Sequence, residues 1–532
     1  MSAKTMDAQD MTNALVEHGF RRAIITMTVV ICCLLELIDT TIVNVATNTL
    51  MGNLGATVGE VSWVIASYAI ANVIVVPLSS WLSSFFGRKY YYGGSVILFT
   101  LGSLLCGTST GIWELVFFRF IQGLGGGALF ATSQSILVEI YPKEKLGMAN
   151  AMFGMGVIIG PTIGPLLGGY LVDNFHWSVM FFVNVPIGIL AAFLSFRYIK
   201  NNPFQKKSDR GIDWLGILLL IAGIGSMQFV LEQGDREDWF ESPKIILFTI
   251  IAIIGVALFI WRMLVRRSPV VDLKVLKKGN VAIGTFLNFI MGFGLFGSVF
   301  IIPLFTQRFL GFTATMTGKL FTPGALLTGI LMPVIGISLQ KGISAKKLIA
   351  GGFFVFGIFL IWCSLFITPV TNAESFFWPL MFRGLGMAML FVPMANMSLS
   401  GLQGAEIAQA AALTNMVRQL GGSFGVAIIS FFVEHNQAQH SADLASHISN
   451  TSILASARIQ TLTQAFASTT SDMGHATQMA YAALMNTITK QAAILSYIDT
   501  FQYLGVFILL CVPLAFLART RKGEKVDTSG AH

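Results

Sequence analysis

The chain has 532 residues, of which 54% are hydrophobic and only 11% are charged, and its mean hydropathy is +0.72. Soluble globular proteins carry about 25% charged residues, so this composition excludes a soluble protein and indicates one embedded in lipid. The formal net charge of +8 requires no nucleic-acid partner, because membrane topology accounts for where the positive residues lie.

Long apolar windows follow one another along the chain. A transmembrane helix needs about 20 mainly apolar residues. Fourteen windows meet this condition, at residues 23–46, 61–83, 92–110, 114–137, 147–171, 177–199, 213–231, 244–264, 281–302, 319–339, 347–368, 376–399, 409–433 and 497–518. They predict an all-α polytopic membrane protein. The first window is too long for the apolar core of a signal peptide, so we expect it to be retained.

The positions of the 34 lysine and arginine residues support this helix count. If the N terminus is cytoplasmic, 25 of them fall in inner segments, 6 in outer segments and 3 inside predicted helices. The positive-inside rule predicts such a bias when both termini face the cytoplasm. Omitting one helix would reverse the side of every later segment and remove the alternation.

An internal repeat indicates how the helices are grouped. The segment QGLGGGALF (Gln122–Phe130) in the fourth helix is similar to RGLGMAMLF (Arg383–Phe391) in the twelfth. Two six-helix halves separated by two extra helices would place the repeat there, and chance similarity between glycine-rich helices is the alternative. The predicted units are a cytoplasmic tail (1–22), a first bundle (23–199), a linker with two inserted helices (200–278), a second bundle (279–518) with an outer loop (434–496), and a cytoplasmic tail (519–532).

Two acidic residues lie in the first predicted helix. Glu36 and Asp39 are three residues apart, so their side chains share one helix face. A charge at bilayer depth costs at least about 2.5–3.5 kcal/mol, and such residues usually face a cavity and have a function. We predict a proton relay centred on Asp39. A structural hydrogen-bonding group with Thr40, Thr41 or Asn44 is the alternative.

The fourth predicted helix supplies a positive charge. Arg119 is followed one turn later by Gln122 on the same helix face. An arginine at this depth must pair with a carboxylate or with carbonyl groups, so we expect Asp39 and Arg119 to form a pair that protonation breaks. A purely structural pair is the alternative. Candidate residues for the lining of a substrate cavity are Asn44, Gln122, Asn288, Arg383, Asn415 and Arg418.

The fifth predicted helix contains the segment GMGVIIGPTIGPLLGGYLVDN (Gly154–Asn174). Glycines at every fourth position form a small-residue stripe that permits close helix contact, and two prolines favour a bend. Tight packing is the simpler interpretation, and a bend or moving contact during transport is the functional one. The residues assigned to packing or conformational change are Gly156, Gly160, Pro161, Gly164, Pro165, Gly168 and Gly169, with Gly87 and Arg88 in the turn after the second helix.

Motifs of other protein classes are missing from the sequence. It contains no phosphate-binding loop, zinc-protease motif or nucleophile elbow, so we expect no enzyme activity and no cofactor, and energy from an ion gradient or another subunit. All five cysteines lie in apolar windows, which predicts no disulfide framework. The predicted outer loop holds four histidines whose spacing fits no familiar metal site, and we favour a partner-facing hairpin. These are His435, His440, His447 and His475.

Four segments, IDTTIVNVA, FFRFIQG, GVIIGPTIGPLLGGYL and WSVMFFVNVPIGIL, together resemble the major facilitator superfamily. The likeness covers nearly the whole chain and is greatest to EmrB-type members of the fourteen-helix drug:proton antiporter branch. It implies two six-helix halves that rock about a central cavity and export driven by protons. It places Asp39 on the acidic motif of helix one, Arg119, Gln122 and Gly123 on the motif of helix four, and the glycine–proline stripe on the motif associated with antiporters.

The resemblance also implies partners and a location. EmrB-type proteins work with a periplasmic membrane-fusion adaptor and a TolC-type outer-membrane channel, which implies a Gram-negative inner membrane. The expected function is multidrug efflux, and with it antibiotic resistance, by alternating access. One alternative is a dedicated exporter of a single metabolite such as a siderophore or fatty acid. The alternative from another class is a non-transporting membrane scaffold or enzyme.

Three features depart from the family pattern. Thr47 and Asn48 stand where helix one usually continues toward a proline, so we expect this helix to end differently. Ser80 and Ser84 replace the usual glycine and aspartate of the inner loop, which weakens the charge lock expected there. Glu36 is an acid that many relatives lack, so proton stoichiometry or substrate charge is expected to differ.

Overall fold

The computed structural model describes residues 16–142, 145–201, 212–266, 269–399, 402, 405–448, 453–468 and 472–517. Residues 1–15 of the predicted N-terminal tail and the whole of the predicted C-terminal tail (519–532) lie outside these ranges, as does most of the basic segment that opens the predicted linker.

Fourteen of the described helices are long and apolar enough to cross a membrane, and the described ranges contain no β-strand. This confirms the predicted all-α polytopic fold. The first seven helices are α1 (Gly19–Ile42), α2 (Val58–Phe86), α3 (Arg88–Thr108), α4 (Ile112–Ile140), α5 (Leu146–Asn174), α6 (Val179–Tyr198) and α7 (Trp214–Gln233). The other seven are α8 (Pro243–Val265), α9 (Gly279–Phe309), α10 (Ala314–Gln340), α11 (Ala345–Phe366), α12 (Phe377–Leu399), α13 (Ala405–Ser446) and α14 (Met473–Leu510).

The largest difference from the predicted windows lies at α13 and α14. These helices continue well beyond their apolar segments, and a further helix, Ile453–Ala467, packs against α14. Most of the region predicted as an outer loop is therefore helical. A hydropathy window detects only the strongly apolar part of a helix, whereas the segments that follow mix alanine with glutamine and other polar residues, which favours a helix but lowers the mean hydropathy.

The segment after α1 departs from a continuous helix. A single 3₁₀ turn, Val43–Val45, follows Ile42, and a short helix, Thr47–Leu54, ends at Gly55 with φ of +59°. The helix α2 then begins with a capping box, in which Thr57 and Glu60 satisfy each other's backbone N–H groups. The chain thus turns over one end of the bundle before it re-enters the apolar region.

The helices pack as two groups, which we call the first bundle (α1–α6) and the second bundle (α9–α14). In the first bundle α1 packs on α5, and α2 and α3 pack on α4. In the second, α9 packs on α13, and α12 packs on α10 and α11. The two bundles meet mainly where α5 packs on α10 and α2 packs on α13, with smaller contacts of α5 with α12 and of α4 with α13. The helices α7 and α8 pack on each other, and α7 also contacts α2 and α13.

Successive helices run in opposite directions, so their ends form two faces. We call the face at which α1, α3 and α5 begin the basic end, because most lysine and arginine residues lie in its connecting segments. The opposite face, at which α2, α4 and α6 begin, is the distal end. The two acids of α1 lie between these faces, nearer the distal end.

Candidate functional site

Asp39 lies at the centre of a buried polar cluster inside the first bundle. Its side chain has no exposed surface and forms an ion pair with Arg119 of α4. The amides of Gln122 and Asn184 donate hydrogen bonds to its other oxygen, at 2.9 and 2.8 Å. Three donors therefore surround one carboxylate, which is an arrangement that stabilises its charged form.

The helices α2 and α4 pack closely beside this cluster. A side chain at Gly123 or Gly127 would come within 2.6 Å of a backbone oxygen of α2, at Tyr68 and Asn72 respectively. Only glycine fits at these two positions, and it allows α2 to approach α4 closely. In this arrangement the centre of the Tyr68 ring lies 4.1 Å from the guanidinium carbon of Arg119. Arg119 also donates from Nε to the carbonyl of Val64, at 3.2 Å. The arginine is thus held by an acid, a carbonyl and an aromatic ring.

Glu36 is equally buried but has different surroundings. Asn72 of α2 donates a hydrogen bond to its Oε1, at 2.8 Å, while its Oε2 is buried without a hydrogen-bond partner. The side-chain oxygen of Asn72 in turn accepts from Gln419 of α13, at 2.9 Å. Glu36 also interacts electrostatically with Arg418 of the same second-bundle helix. Both acids therefore bond to the first bundle, but Glu36 is linked through Asn72 to the second bundle, whereas the partners of Asp39 all belong to the first.

The structural alternative for the two acids named Thr40, Thr41 and Asn44 as hydrogen-bond partners. The hydroxyl of Thr40 donates to the backbone oxygen of Glu36, and the hydroxyl of Thr41 donates to that of Leu37. These are ordinary bonds of threonine within a helix. The predicted cavity residue Asn44 is exposed at the distal end, in the 3₁₀ turn, and the structure does not bring it to the other candidates.

The second bundle holds two deep arginines. Arg383 donates from Nε to Ser298 Oγ, at 3.0 Å, and lies 5.3 Å from the ring of Phe321, while its Nη2 is buried without a partner. In the internal repeat, Arg383 occupies the position that corresponds to Gln122, which in the first bundle contacts Asp39. The second bundle therefore has an arginine where the first bundle has Gln122. The partner of this arginine is a serine, whereas the partner of Gln122 is the acid Asp39.

The other deep arginine, Arg418, lies where the bundles meet. Its Nη2 donates to Asn415 Oδ1, at 2.5 Å, and its guanidinium carbon lies 5.1 Å from the ring of Phe130 and 5.0 Å from that of Phe391. Asn415 donates to Gln134 of the first bundle, at 2.9 Å. The guanidinium is therefore enclosed by aromatic rings from both bundles.

Asn288 belongs to a separate contact within the second bundle. Its amide donates to the backbone oxygen of Gly284, at 2.8 Å, and to Ser398 Oγ of α12, at 3.3 Å. The side chain is buried. The structure thus joins it to α12 rather than to the arginines.

The glycine stripe of α5 faces the helix that carries both acids. A side chain at Gly160 would come within 2.6 Å of Leu37 Cβ, and one at Gly164 would collide with Thr41 Oγ1. Gly156 and Gly168 contact α1 at Cys33 and Ile42, and Pro161, Pro165 and Gly169 are buried in the same helix. The helix α5 is continuous through both prolines. The stripe therefore sets the position of α1 within the first bundle.

The turn between α2 and α3 requires glycine. Gly87 has φ of +86°, a conformation that other residues rarely adopt. The next residue, Arg88, is buried and forms an ion pair with Glu139 near the end of α4. The hydroxyl of Ser84 donates to the backbone oxygen of Trp81 in its own helix, at 2.7 Å. These contacts all stay within the first bundle.

The histidines of the distal region form no metal site among the described residues. His440 lies 2.7 Å from Asp499 of α14, and the ring of His435 stacks on Phe431. The five cysteines are buried free thiols.

Several residues of these clusters were not singled out from the sequence. They are uncharged side chains with hydrogen-bonding groups inside apolar helices: Tyr68, Asn72, Gln134, Asn150, Asn184, Asn396 and Gln419. Asn184 lies within one of the family-like segments, so a search for buried amides as well as charges would have found it. The partner of each amide depends on helix packing and has no signal in the sequence.

Comparison with known proteins finds relatives over nearly the full length of the chain. The Major Facilitator Superfamily profile matches residues 29–426. The chain is 32% identical to the Escherichia coli K12 multidrug export protein EmrB, over 97% of this chain and 99% of EmrB. It is 32% identical to the Neisseria gonorrhoeae fatty acid resistance protein FarB, over 94% of this chain and 97% of FarB. The crystal structure of the human organic anion transporter MFSD10 (TETRAN) shares the fold, with a TM-score of 0.56 at 11% identity over 94% of this chain and 99% of that one.

Proposed function

The chain belongs to the major facilitator superfamily, and from this premise we propose that it exports several kinds of amphiphilic small molecule in exchange for protons. The multidrug export protein EmrB, to which it is similar over nearly its full length, supports the class of function. The observation that carries the proposal is the buried cluster of Asp39, Arg119, Gln122 and Asn184.

This cluster has the chemistry of a proton carrier. A buried carboxylate paired with an arginine holds its charge only while the pair is intact. When Asp39 takes up a proton, its attraction to Arg119 falls and the guanidinium becomes free to bind other acceptors. When the proton leaves, the pair forms again. Proton uptake and release thus change a contact between α1 and α4.

Alternating access would connect this change to transport. The first bundle (23–199) and the second bundle (279–518) rock about a central cavity, with the linker helices of 200–278 beside them. The proton gradient supplies the energy, and no cofactor takes part. If all fourteen candidate spans among the described residues cross the membrane, both termini would lie on the same side of it.

The proposed location is the inner membrane of a Gram-negative cell, with the basic end in the cytoplasm. The positive-inside rule supports this orientation. The helical extensions of α13 and α14 would then lie in the periplasm, where a membrane-fusion adaptor and a TolC-type channel complete the export path. Co-purification of these partners with the full chain, and its loss on deletion of residues 453–467, would support the tripartite assembly.

The deep arginines favour weakly acidic or neutral cargo. Arg383 and Arg418 lie among aromatic rings, and neither forms an ion pair with a described acid within 4 Å. This observation also keeps a second candidate function open, a dedicated exporter of one metabolite such as a fatty acid or siderophore. The name of FarB points in the same direction. In competition assays, one dominant substrate favours the dedicated exporter and many unrelated substrates favour multidrug efflux.

Transport by the purified protein in liposomes tests the proposal. With an imposed pH gradient, the wild-type protein should move ethidium or laurate, and Asp39→Asn should not. Glu232→Gln, on the linker helix α7, is the matched change of a half-buried carboxyl group to an amide and should transport normally. Absence of transport by the wild-type protein for a broad panel would favour a scaffold or an enzyme.

A further inference from the structure

Three pairs of side-chain amides join the two bundles. Asn150 of α5 donates to Asn396 of α12 at 2.6 Å, Asn415 of α13 to Gln134 of α4 at 2.9 Å, and Gln419 of α13 to Asn72 of α2 at 2.9 Å. We call this set the amide ladder; its members are Asn72, Gln134, Asn150, Asn396, Asn415 and Gln419. Its first-bundle members are all buried.

The amide ladder spans the half of the membrane next to the basic end. At 1.5 Å per residue, Asn150 lies about 6 Å along α5 from the basic end, Gln134 about 9 Å along α4, and Asn72 about 21 Å along α2. Near the distal end, by contrast, the side-chain hydrogen bond that joins the bundles among described residues is a long one, from Thr315 to Asp173 at 3.5 Å. The polar contacts between the bundles are therefore concentrated on the basic side.

Ion pairs between described residues do not join the two bundles. The ion pairs between described residues lie within one bundle or involve the linker, as Arg88 with Glu139 and Lys278 with Glu406 illustrate. The hydroxyl of Ser84, near the basic end of α2, donates to the backbone oxygen of Trp81 in its own helix. Among the described residues, uncharged amides rather than ion pairs therefore join the two bundles on the basic side.

The innermost pair of the ladder is attached to Glu36. Ionised Glu36 accepts from Asn72, and this charge-assisted bond holds the Asn72 oxygen toward Gln419. The ionised group also attracts Arg418 across the bundle contact. Protonation of the unpartnered Oε2 would weaken both interactions. The other titratable groups facing Glu36 are Asp39 and Cys33 on its own helix and Tyr68 on α2.

We propose that the amide ladder is the gate on the basic side and that Glu36 is its positioning residue, closing the gate when ionised and releasing it when protonated. The inference rests on the proposed function in one respect, since it assumes that the bundles move apart. It assigns Asn72 and Gln419 to gate control, and it gives Glu36 a role separate from that of Asp39.

Distance measurement between two spin labels tests the gate without cargo or transport. Phe86 at the end of α2 and Ile343 in the turn after α10 are 56% and 48% exposed at the basic end, one on each bundle, and are suitable for labelling as Phe86→Cys and Ile343→Cys. In the full chain in nanodiscs, we expect one short distance at pH 8 and a second, longer distance at pH 5.5.

The variants decide which group is responsible. Glu36→Gln, Gln419→Leu and Asn72→Ser should show the longer distance at both pH values, while Glu232→Gln and Gln437→Leu, which lie outside the ladder, should behave as wild type. Asp39→Asn should keep the pH response. A wild-type distance that does not change with pH, or a response in Glu36→Gln equal to that of wild type, would overturn the inference. Liposome transport by wild type together with either result would leave the proposed function intact.

Discussion

The surroundings of Asp39 and of Glu36 differ although the two acids are three residues apart on one helix. Asp39 has its donors entirely within the first bundle, from Arg119, Gln122 and Asn184. Glu36 has one donor, Asn72, which is itself bonded to the second bundle, and one oxygen with no partner. Neighbouring positions on a helix face thus reach different parts of the molecule.

A proton-driven exporter must link two tasks, which are to carry a proton and to change the contact between its bundles. We propose that this difference assigns the two tasks to different acids. A carboxylate enclosed by one bundle can hold a proton without altering the contact between bundles. A carboxylate bonded through an amide to the other bundle can alter that contact when its charge changes. The ring of Tyr68 lies 4.1 Å from the guanidinium carbon of Arg119 and so belongs to the surroundings of Asp39.

The largest expected effect comes from Asp39→Asn. We expect proton-driven efflux to fall to the level of protein-free liposomes, because the amide cannot carry a proton through the cycle. The measurement is efflux under an imposed pH gradient, with expression and folding checked by size-exclusion chromatography. Efflux at the wild-type rate would show that Asp39 is not the carrier and would remove the distinction between the two acids.

The second effect concerns stability. Arg119→Gln should destabilise the protein by about 3–5 kcal/mol, because removing one partner of a buried ion pair leaves the other charge uncompensated. The double variant Asp39→Asn/Arg119→Gln should recover most of this loss while remaining inactive. Thermal unfolding in detergent measures both. Lys278→Gln, which breaks a pair that is about half exposed, is the control and should cost less than about 1 kcal/mol.

A smaller effect is expected for Glu36→Gln. This change removes a charge-assisted hydrogen bond of about 1.5–3 kcal/mol, so efflux should fall by about 10- to 100-fold and depend less on pH. Rates measured at a constant gradient between pH 6 and 8 provide the test. Complete loss of transport, as expected for Asp39→Asn, would mean that both acids serve one proton-carrying step.

The smallest effect tests the packing that holds both acids in place. Gly164→Ala should destabilise the protein by about 1–3 kcal/mol, because the added methyl group meets Thr41 of α1 and the close α1–α5 contact must widen. Gly52→Ala, where an added Cβ meets nothing within 4 Å, is the matched control. Equal thermal stability of the two variants would show that α1 tolerates displacement from α5.

The sequence was sufficient for the fold because the bilayer imposes a simple rule on helix length and loop charge. It was also sufficient to select Asp39 and Arg119, since a charge deep in an apolar helix is conspicuous. It was less informative about Asn44, whose position in a turn after α1 exposes it, and about the helical extensions of α13 and α14, which hydropathy does not detect.

The amide contacts were beyond sequence reasoning for a physical reason. Placing an asparagine or glutamine in a membrane helix costs little enough free energy that such residues also occur without a function. The sequence therefore does not distinguish Asn72 and Gln419 as functional residues. Their meaning comes from the partner across the bundle contact, which depends on the packing of four helices at once. The proposed division of tasks between Glu36 and Asp39 therefore rests on three-dimensional contacts.

The most direct test of the account measures protons released when cargo binds. Purified protein in weakly buffered detergent solution near pH 7 is mixed with saturating ethidium or laurate, whichever the liposome assay shows to be transported. We predict that the wild-type protein releases protons and that Asp39→Asn binds the same cargo without releasing them. Equal proton release by Asp39→Asn would contradict the claim that this carboxyl group carries the exchanged proton.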